Sequence, residues 1–314
     1  MTQQTFAAPT ETDLAGATRL GDWGVIRVAG PDAASFLQSQ LTNDVLQLDE
    51  AQARLAGYCS AKGRLLASFI IWRSAADEIM LACSADLLAQ AHRRLSMFVL
   101  RAKCKLSDAS QDVALWGLAG AAAVPDIAPW RRANAADGST LIRLPDARVD
   151  AVTVPRALRI GSAADMQSAL TSLSADAWRW LEVHSGTARI VAATVEQFVP
   201  QMINLELVGG VNFQKGCYPG QEIVARSQYR GTIKRRAYVG YSDAPLTPGQ
   251  EVFAIDDAAQ PVGMVVLAAS LGARHAALVE LKMAATDAEL FGGAVNGPRL
   301  TLGALPYDIP TEPA

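Results

Sequence analysis

The sequence has few of the residues that usually hold a metal ion, and those that it has are scattered. Among its 314 residues are four cysteines and three histidines, at Cys59, Cys83, Cys104 and Cys217 and at His92, His184 and His275. No two cysteines form a CxxC pair, whereas zinc and iron–sulfur centres usually need clustered thiolates or imidazoles. The spacing therefore predicts no resident metal centre, and the unpaired cysteines favour free thiols in a reducing compartment.

Long apolar runs and targeting signals are also lacking. A membrane-spanning helix needs roughly 18 or more consecutive apolar residues, but the longest apolar-rich run, 65–72, is interrupted by Ser68. The N-terminal residues have neither the basic segment nor the apolar run of a secretory signal peptide. We therefore expect a cytoplasmic protein with no membrane partner.

The excess of positive charge that is typical of nucleic-acid-binding proteins is absent as well, because the formal net charge is −3. Two stretches, 93–105 and 226–236, nevertheless contain several basic residues and no acidic ones. We interpret the first stretch as a solvated face. The second could also contact an anionic ligand or an RNA backbone, since clustered cations attract phosphates.

What the sequence does have is apolar residues, which make up half of it and suffice for a sizeable core. Strands are predicted near 23–28, 54–60, 64–73, 77–83, 101–107, 113–118, 141–144 and 151–154. Helices are predicted after Pro31 and Asp32, from Ser84 to about Leu100, and over 163–173 and 175–183, with a loop over 125–139. This order favours an α+β fold in which helices pack on antiparallel sheets.

The pattern changes after residue 236. Alternating runs separated by Pro, Gly and Asp lie near 237–242, 251–255, 261–269, 276–282 and 299–304. Several short strands joined by turns predict a small β-barrel or sandwich. We therefore predict a first region over 1–236 and a C-terminal domain over 237–314.

The segment 215–222, with the sequence KGCYPGQE, is the strongest candidate for a functional centre. Gly216 and Gly220 flank Cys217, and glycine allows tight turns and a close approach to a ligand. Lys215 places a cation near the thiol, and cations favour the reactive thiolate. From the residues alone, Cys217 is a nucleophile, a redox thiol or a transient metal ligand; the alternative is a buried apolar filler.

Two other features are candidates for ligand contacts. The segment 58–64 (YCSAKGR) lies between two predicted strands and is typical of a hairpin turn, which presents Lys62 and Arg64 either to an anion or to solvent. Trp23 and Trp178 are either core residues or a stacking wall for a flat heteroaromatic ligand.

Taken together, these residues resemble the YgfZ family, whose signature K-G-C-Y-x-G-Q-E matches 215–222. Shorter segments also agree, namely 30–32 (GPD), 41–45 (LTNDV), 61–64 (AKGR), 198–201 (FVPQ), 209–213 (GGVNF) and 305–307 (LPY). The family is similar in fold to the aminomethyltransferase of the glycine cleavage system, the T-protein. The resemblance implies a three-domain ring around a folate-binding hole, with interleaved α+β subdomains at roughly 23–110 and 111–236 and a C-terminal β-barrel.

The resemblance further implies a tetrahydrofolate-binding accessory protein that supports the synthesis or repair of iron–sulfur clusters. Its client proteins would include tRNA methylthiotransferases, which gives an indirect link to tRNA. The folate-contacting tryptophans of the family fall on Trp23 and Trp178, its functional thiol on Cys217 and its lysine on Lys215. Candidates for binding the anionic folate tail are Lys62, Arg64, Arg226 and Arg230.

One departure from the T-protein separates two possible activities. That enzyme has an acidic pair on the strand after its glycine turn, whereas Ala67 and Ser68 occupy those positions here. Neither side chain can steer a proton or pair with a developing cation as a carboxylate does. The T-protein also lacks a cysteine at the position of Cys217. The sequence therefore favours the accessory protein; a folate-dependent aminomethyltransferase is the alternative, and direct RNA binding through 226–236 is a third possibility.

Overall fold

The structure is a computed structural model that describes residue 10 and residues 12–162, 171–229 and 233–310. These residues form two five-stranded sheets and one closed six-stranded barrel. Residues 163–170, which make up most of the helix predicted over 163–173, lie outside the described residues. Within the described part of the chain, no helix is both long and apolar enough to cross a membrane.

Among the described residues, the first strand is β1 (Gly16–Arg19), which belongs to the second sheet, and the next five strands build the whole first sheet. This sheet contains β2 (Trp23–Ala29), β3 (Ala53–Cys59), β4 (Leu65–Ala75), β5 (Glu78–Ser84) and β6 (Lys105–Asp108). Their order is β3-β4-β5-β2-β6, and every neighbouring pair is antiparallel. All five strands match predicted ones, because alternating or continuous apolar runs mark half-buried and buried strands locally.

Two helices accompany the first sheet, α1 (Ala33–Gln38) after β2 and α2 (Ala85–Ser96) after β5. Helix α2 buries Leu87, Ala91 and Leu95, which lie on one face at helical spacing. It ends before the predicted Leu100, which adopts a φ of +40°. A left-handed conformation of this kind cannot continue a right-handed helix.

The second sheet consists of β1 with β7 (Val113–Ala119), β8 (Arg132–Asn134), β9 (Thr140–Val149) and β10 (Val152–Ser162), in the order β1-β7-β10-β9-β8. Because β1 pairs with β7, the second sheet combines a strand that precedes the first sheet in the chain with strands that follow it. Strand β8 lies within the predicted loop 125–139, and its three residues are too few to show a periodic pattern.

The C-terminal part forms a closed barrel in the order β11-β14-β13-β12-β15-β16, which confirms the predicted β-barrel. Its strands are β11 (Arg235–Ser242), β12 (Glu251–Ala254), β13 (Gly263–Leu271), β14 (Arg274–Lys282), β15 (Leu290–Gly292) and β16 (Arg299–Leu302). The sequence missed β15, which has only three residues. The division into domains over 1–236 and 237–314 stays a prediction.

Helix α3 (Ala175–His184) lies at the centre of the molecule. Ser174 caps its first turn, since the Ser174 hydroxyl accepts a hydrogen bond from the Ala177 amide at 3.0 Å. The helix is buried on most sides, and a helix of this kind packs against several elements at once. Trp180 and His184 stack on each other at 4.6 Å, and the His184 ring lies 3.2 Å from the hydroxyl of Tyr241 in the barrel.

Helix α4 (Gln221–Tyr229) follows the KGCYPGQE segment and is tied to the barrel through a 3-10 turn at Pro200–Ile203. The Gln201 amide donates to the Val224 carbonyl in α4 at 2.8 Å. Asn204, which ends the turn with a φ of +57°, donates to the Ala237 carbonyl in β11 at 2.8 Å. The turn at Pro200–Ile203 and Asn204 after it therefore join α4 to β11 by buried hydrogen bonds.

Candidate functional site

A narrow slot lies between the two sheets, with Trp23 from β2 and Trp178 from α3 in its lining. The other lining residues are Leu55, Ser68, Phe69, Ile70, Trp130, Leu144, Pro145, Arg156, Glu182, Ser185, Thr187, Ala188 and Arg189. Its empty volume is about 430 Å³, but the volume open to the centre of a water molecule is only about 30 Å³. The slot is therefore too narrow for a bulky group.

Two of the three tryptophans in the slot lining have polar groups that no other described residue satisfies. The indole N–H groups of Trp23 and Trp178 are buried and have no hydrogen-bond partner in the described structure. A buried N–H without a partner costs about 1–3 kcal/mol. Two such donors at one slot suit a ligand that brings hydrogen-bond acceptors.

Each of these indoles also faces an arginine. The Arg189 guanidinium lies 4.8 Å from the ring centre of Trp23, and the Arg156 guanidinium lies 5.4 Å from that of Trp178. Arg156 donates twice to the Pro145 carbonyl, at 3.1 and 3.2 Å, and its burial lowers its pKa to about 10. Both arginines thus stay charged at neutral pH and hold the indoles by cation–π contacts.

Glu182 is the carboxylate of the slot. It lies four residues after Trp178, so that both side chains share one face of α3. Its carboxylate is 3.3 Å from Arg189, which also binds Asp22 at 2.9 Å. Burial raises the pKa of Glu182, while the charges of Arg189 and Arg156 oppose that rise. A buried, paired carboxylate is suited to accept hydrogen bonds from a polar ring.

Ser68, on β4, lines the slot at a position where the T-protein resemblance implies an acid. Its hydroxyl accepts a hydrogen bond of 2.9 Å from the Ile190 amide, so it ties β4 to the chain after α3. The acidic residue in the slot lining is therefore Glu182 of α3, and β4 contributes none.

The KGCYPGQE segment forms a separate feature in front of α4. Lys215 is buried and donates hydrogen bonds to the backbone carbonyls of Leu41, at 2.6 Å, and of Gln38. Its ammonium also lies 4.9 Å from the ring centre of Tyr218. Burial lowers the pKa of Lys215 to about 8, while Asp44 and Cys217 oppose that shift. Lys215 therefore anchors the motif to the chain after α1.

The glycines of the motif bring it against the hairpin turn between β3 and β4. Gly220 has a φ of +79°, and a Cβ atom there would lie 2.4 Å from the Ser60 carbonyl oxygen and 2.6 Å from Gly63. Gly63 has a φ of +69°, and a Cβ atom there would lie 2.9 Å from the Cβ atom of Ile223 in α4. The two segments that the sequence singles out, 58–64 and 215–222, thus meet through glycine contacts.

Cys217 is exposed, whereas Cys59 and Cys83 are buried and Cys104 is partly buried. Burial raises the pKa of both Cys59 and Cys83 to about 12, so they stay protonated thiols. Cys217 does not line the slot. Among the described residues, no group of three or more His, Cys, Asp or Glu side chains could hold a metal ion.

The slot lining contains none of the cations proposed from the sequence that the structure describes. Lys62 is exposed on the hairpin turn, and Arg226 is exposed on α4. Arg64 donates to the Gln197 carbonyl. None of the three lines the slot, and Arg230 lies outside the described residues. Their role as ligand-binding residues stays a prediction.

Part of the basic stretch 226–236 has a structural role. Arg235 on β11 pairs with Glu280 on β14, and Arg236 pairs with Glu206 at a site where both side chains are 5% exposed. These two arginines are neutralised by carboxylates, so they add little to a surface that could attract RNA.

The sequence analysis missed Glu182, Arg189, Arg156 and Trp130 as slot residues. One signal was available for Glu182, since a carboxylate one helical turn after Trp178 must share its buried face. No comparable signal marks the others, because they come from a loop, from β10 and from the segment after α3.

Comparison with a solved structure defines the class of this fold. The glycine cleavage system aminomethyltransferase T from Bartonella henselae has a TM-score of 0.72 and 15% identity, over 94% of this chain and 88% of that chain. Residues 15–166 match the GCVT N-terminal domain. The chain thus has a T-protein-like α+β fold with a C-terminal β-barrel.

Sequence relatives narrow this class to one family. The tRNA-modifying protein YgfZ of Edwardsiella ictaluri (strain 93-146) is 34% identical over 240 residues, which is 70% of this chain and 69% of that protein. The tRNA-modifying protein YgfZ of Klebsiella pneumoniae (strain 342) is 32% identical over 240 residues, 73% of this chain and 72% of that protein. The chain belongs to the YgfZ family, as the resemblance of its motifs predicted.

Proposed function

We propose that this chain is a tetrahydrofolate-binding accessory protein that supports the synthesis or repair of iron–sulfur clusters in enzymes such as tRNA methylthiotransferases. The observation that carries the folate part is the slot, which combines two indoles with a buried carboxylate. The link to tRNA modification rests on the names of the relatives. In this proposal the iron–sulfur cluster belongs to the enzyme that the protein assists, and it is not a resident cofactor of this chain.

The chemistry of the slot fits the pterin ring of a folate. A pterin is flat and aromatic, and it suits stacking against Trp23 and Trp178. Its amino and ring N–H donors suit the carboxylate of Glu182, and its ring acceptors suit the orphaned indole N–H groups. When bound, tetrahydrofolate supplies one-carbon and reducing chemistry. The chain's own residues orient the ring, exclude water and neutralise charge around it.

The second candidate, a folate-dependent aminomethyltransferase, is favoured by the shared fold alone, and fold is a weak warrant for chemistry. Ser68 argues against it, because the slot has no carboxylate on β4 to assist a proton transfer. Turnover of a lipoyl-bound aminomethyl substrate by the purified protein would establish this alternative.

The proposed role of Cys217 is that of a redox thiol or a transient ligand for the cluster cargo. Its exposure lets it reach a partner protein, which the buried cysteines cannot do. Lys215 supports this role as a positioning residue, since it fixes the motif through buried hydrogen bonds to two carbonyls.

Isothermal titration of tetrahydrofolate tests the slot. We expect Glu182→Gln to weaken binding about tenfold or more, since hydrogen bonds to charged groups contribute about 1.5–3 kcal/mol. Trp178→Phe should weaken binding by up to about tenfold. Trp116→Phe, on β7 and outside the slot lining, is the matched control. Wild-type affinity in both slot variants would contradict the folate site.

A cellular assay of tRNA methylthiolation tests the thiol. Cys217→Ser should lose support of the reaction and keep wild-type tetrahydrofolate affinity, because Cys217 does not line the slot. Cys104→Ser, at a partly buried cysteine outside the motif, should keep both properties. Full methylthiolation in the Cys217→Ser strain would refute the role of the thiol.

A further inference from the structure

The slot adjoins two larger clefts, since each of them shares lining residues with it. The first, which we term the Asp22 cleft, shares Glu182 and Arg189 with the slot and also includes Asp22, Asp86 and Arg179. The second, which we term the Trp130 cleft, shares Trp130 with the slot and also includes Arg54, Arg131, Phe213 and Tyr229. A folate whose pterin occupies this narrow slot would extend its tail out of it, and these two clefts border the slot lining.

The Asp22 cleft is unfavourable for an anion. Three carboxylates line it, from Asp22, Asp86 and Glu182, and its two arginines are already paired. Arg189 binds Asp22 and Glu182, and Arg179 lies 3.1 Å from Asp176 and 3.7 Å from Asp22. A tail that carries carboxylates would meet negative charge there without a free cation to balance it.

The Trp130 cleft has the opposite character. No acidic residue occurs in its lining, which contains Arg54 and Arg131. Arg54 donates to the backbone carbonyls of Asp44 and Gln47, at 2.6 and 2.9 Å, so no carboxylate neutralises it. The Arg131 side chain is exposed, and within the described structure it has no hydrogen bond or ion pair. Its guanidinium is thus available to a carboxylate, which it can bind through two parallel hydrogen bonds.

The Trp130 cleft also offers aromatic surface next to these charges. Phe213 and Tyr229 meet edge to face with their ring centres 5.7 Å apart, and Tyr229 is 65% exposed. A benzoyl ring that follows the pterin would find Trp130 first and this pair beyond it. Aromatic surface beside cations matches the order of groups in a folate tail, an aromatic ring followed by carboxylates.

Trp130 itself has a strained backbone at the junction of the slot and the cleft. Its φ is +66°, a left-handed conformation that is costly for a bulky residue. Two backbone hydrogen bonds enforce it, from the Trp130 amide to the Arg143 carbonyl at 2.7 Å and from the Ala53 amide to the Trp130 carbonyl at 2.8 Å. Strain of this kind concentrates at ligand clamps, because the surrounding structure must maintain it.

We infer that the tail of a bound folate passes Trp130 into the Trp130 cleft, where Arg131 binds its carboxylates. This inference rests on the proposed function, since it requires that the pterin occupies the slot. It assigns to Arg131 the role that the sequence analysis gave to Lys62, Arg64, Arg226 and Arg230.

Titration with ligands of graded tail length tests the inference. The probes are 6-methyltetrahydropterin, which has no tail, and tetrahydrofolate with one and with five glutamates. We expect Arg131→Ala to weaken binding of the pentaglutamate about three- to tenfold, as expected for loss of one or two partly exposed ion pairs, and to leave the tail-free pterin unchanged. Arg131→Glu should weaken it further, and added salt should reduce the difference.

The matched control is Arg179→Ala, an exposed arginine of the Asp22 cleft. It should leave the affinity for all three ligands within about twofold of the wild type. Equal pentaglutamate binding by wild type and Arg131→Ala, with normal pterin binding, would overturn the tail assignment alone. A loss in Arg179→Ala that matches or exceeds the loss in Arg131→Ala would direct the tail to the Asp22 cleft. Failure of wild type to bind any of the three ligands would overturn the proposed function as well.

Discussion

Replacement of Gly220 by alanine tests whether the motif segment 215–222 depends on its contact with the hairpin turn at 58–64. Gly220 has a φ of +79°, and a Cβ atom would lie 2.4 Å from the Ser60 carbonyl oxygen and 2.6 Å from the Gly63 backbone. Since both neighbours are backbone atoms, no side-chain rotation can relieve the overlap. The loop and the turn must move apart.

Two terms set the size of the effect. The left-handed conformation costs a residue other than glycine about 1–2 kcal/mol, and overpacking adds about 1–3 kcal/mol. We therefore expect Gly220→Ala to lower the free energy of unfolding by about 2–4 kcal/mol. Urea unfolding followed by tryptophan fluorescence measures this as a lower midpoint.

Gly216→Ala is the matched control, because it makes the same change four residues away in the same motif. A Cβ atom at Gly216 would have no atom within 4 Å, and its φ lies outside the left-handed region. We expect this variant to stay within about 0.5 kcal/mol of the wild type. The reasoning is refuted if Gly220→Ala keeps the wild-type midpoint, or if both variants lose stability equally.

Burial lowers the pKa of His184 from 6.5 to about 4. As pH falls, His184 therefore binds a proton in the unfolded chain before it does so in the folded one. The free energy of unfolding of the wild type, measured by urea titration, should thus fall by up to about 3 kcal/mol relative to that of His184→Gln between about pH 6.5 and pH 4. Arg236→Met should lower the free energy of unfolding by about 3–5 kcal/mol in the same assay, because it leaves the buried Glu206 carboxylate without its partner. Adding Glu206→Gln should restore much of that loss. A thiol reagent should label Cys217 quickly and the two fully buried cysteines only after unfolding; equal labelling of all three would contradict the structure.

The barrel and the first sheet were predictable because their signals are local. Alternation with a period of two marks a strand wherever it lies, and Pro, Gly and Asp mark the turns between strands. The same reasoning failed at β8 and β15, whose three residues do not span a full pattern. Their pairing is imposed by longer neighbours, β9 for the first and β12 and β16 for the second.

Within the candidate site, the motif residues were predictable but their partners were not. Glycines next to a cysteine and a lysine identified 215–222 as a constrained loop from the sequence. The lysine's partners are the carbonyls of Gln38 and Leu41, which lie more than 170 residues away in the chain. No periodicity within the motif could reveal contacts at that separation.

By itself, the sequence determined the class of fold, the motif and the family, because these depend on local pattern and on residue identity. Only the tertiary structure decided that Trp23 and Trp178 share a slot with Glu182 and Arg189, and that Cys217 lies outside its lining. It also separated paired arginines such as Arg236 from Arg131, whose side chain has no partner among the residues that the structure describes. The physical reason is that burial, charge pairing and ring stacking depend on distances between segments that only packing brings together.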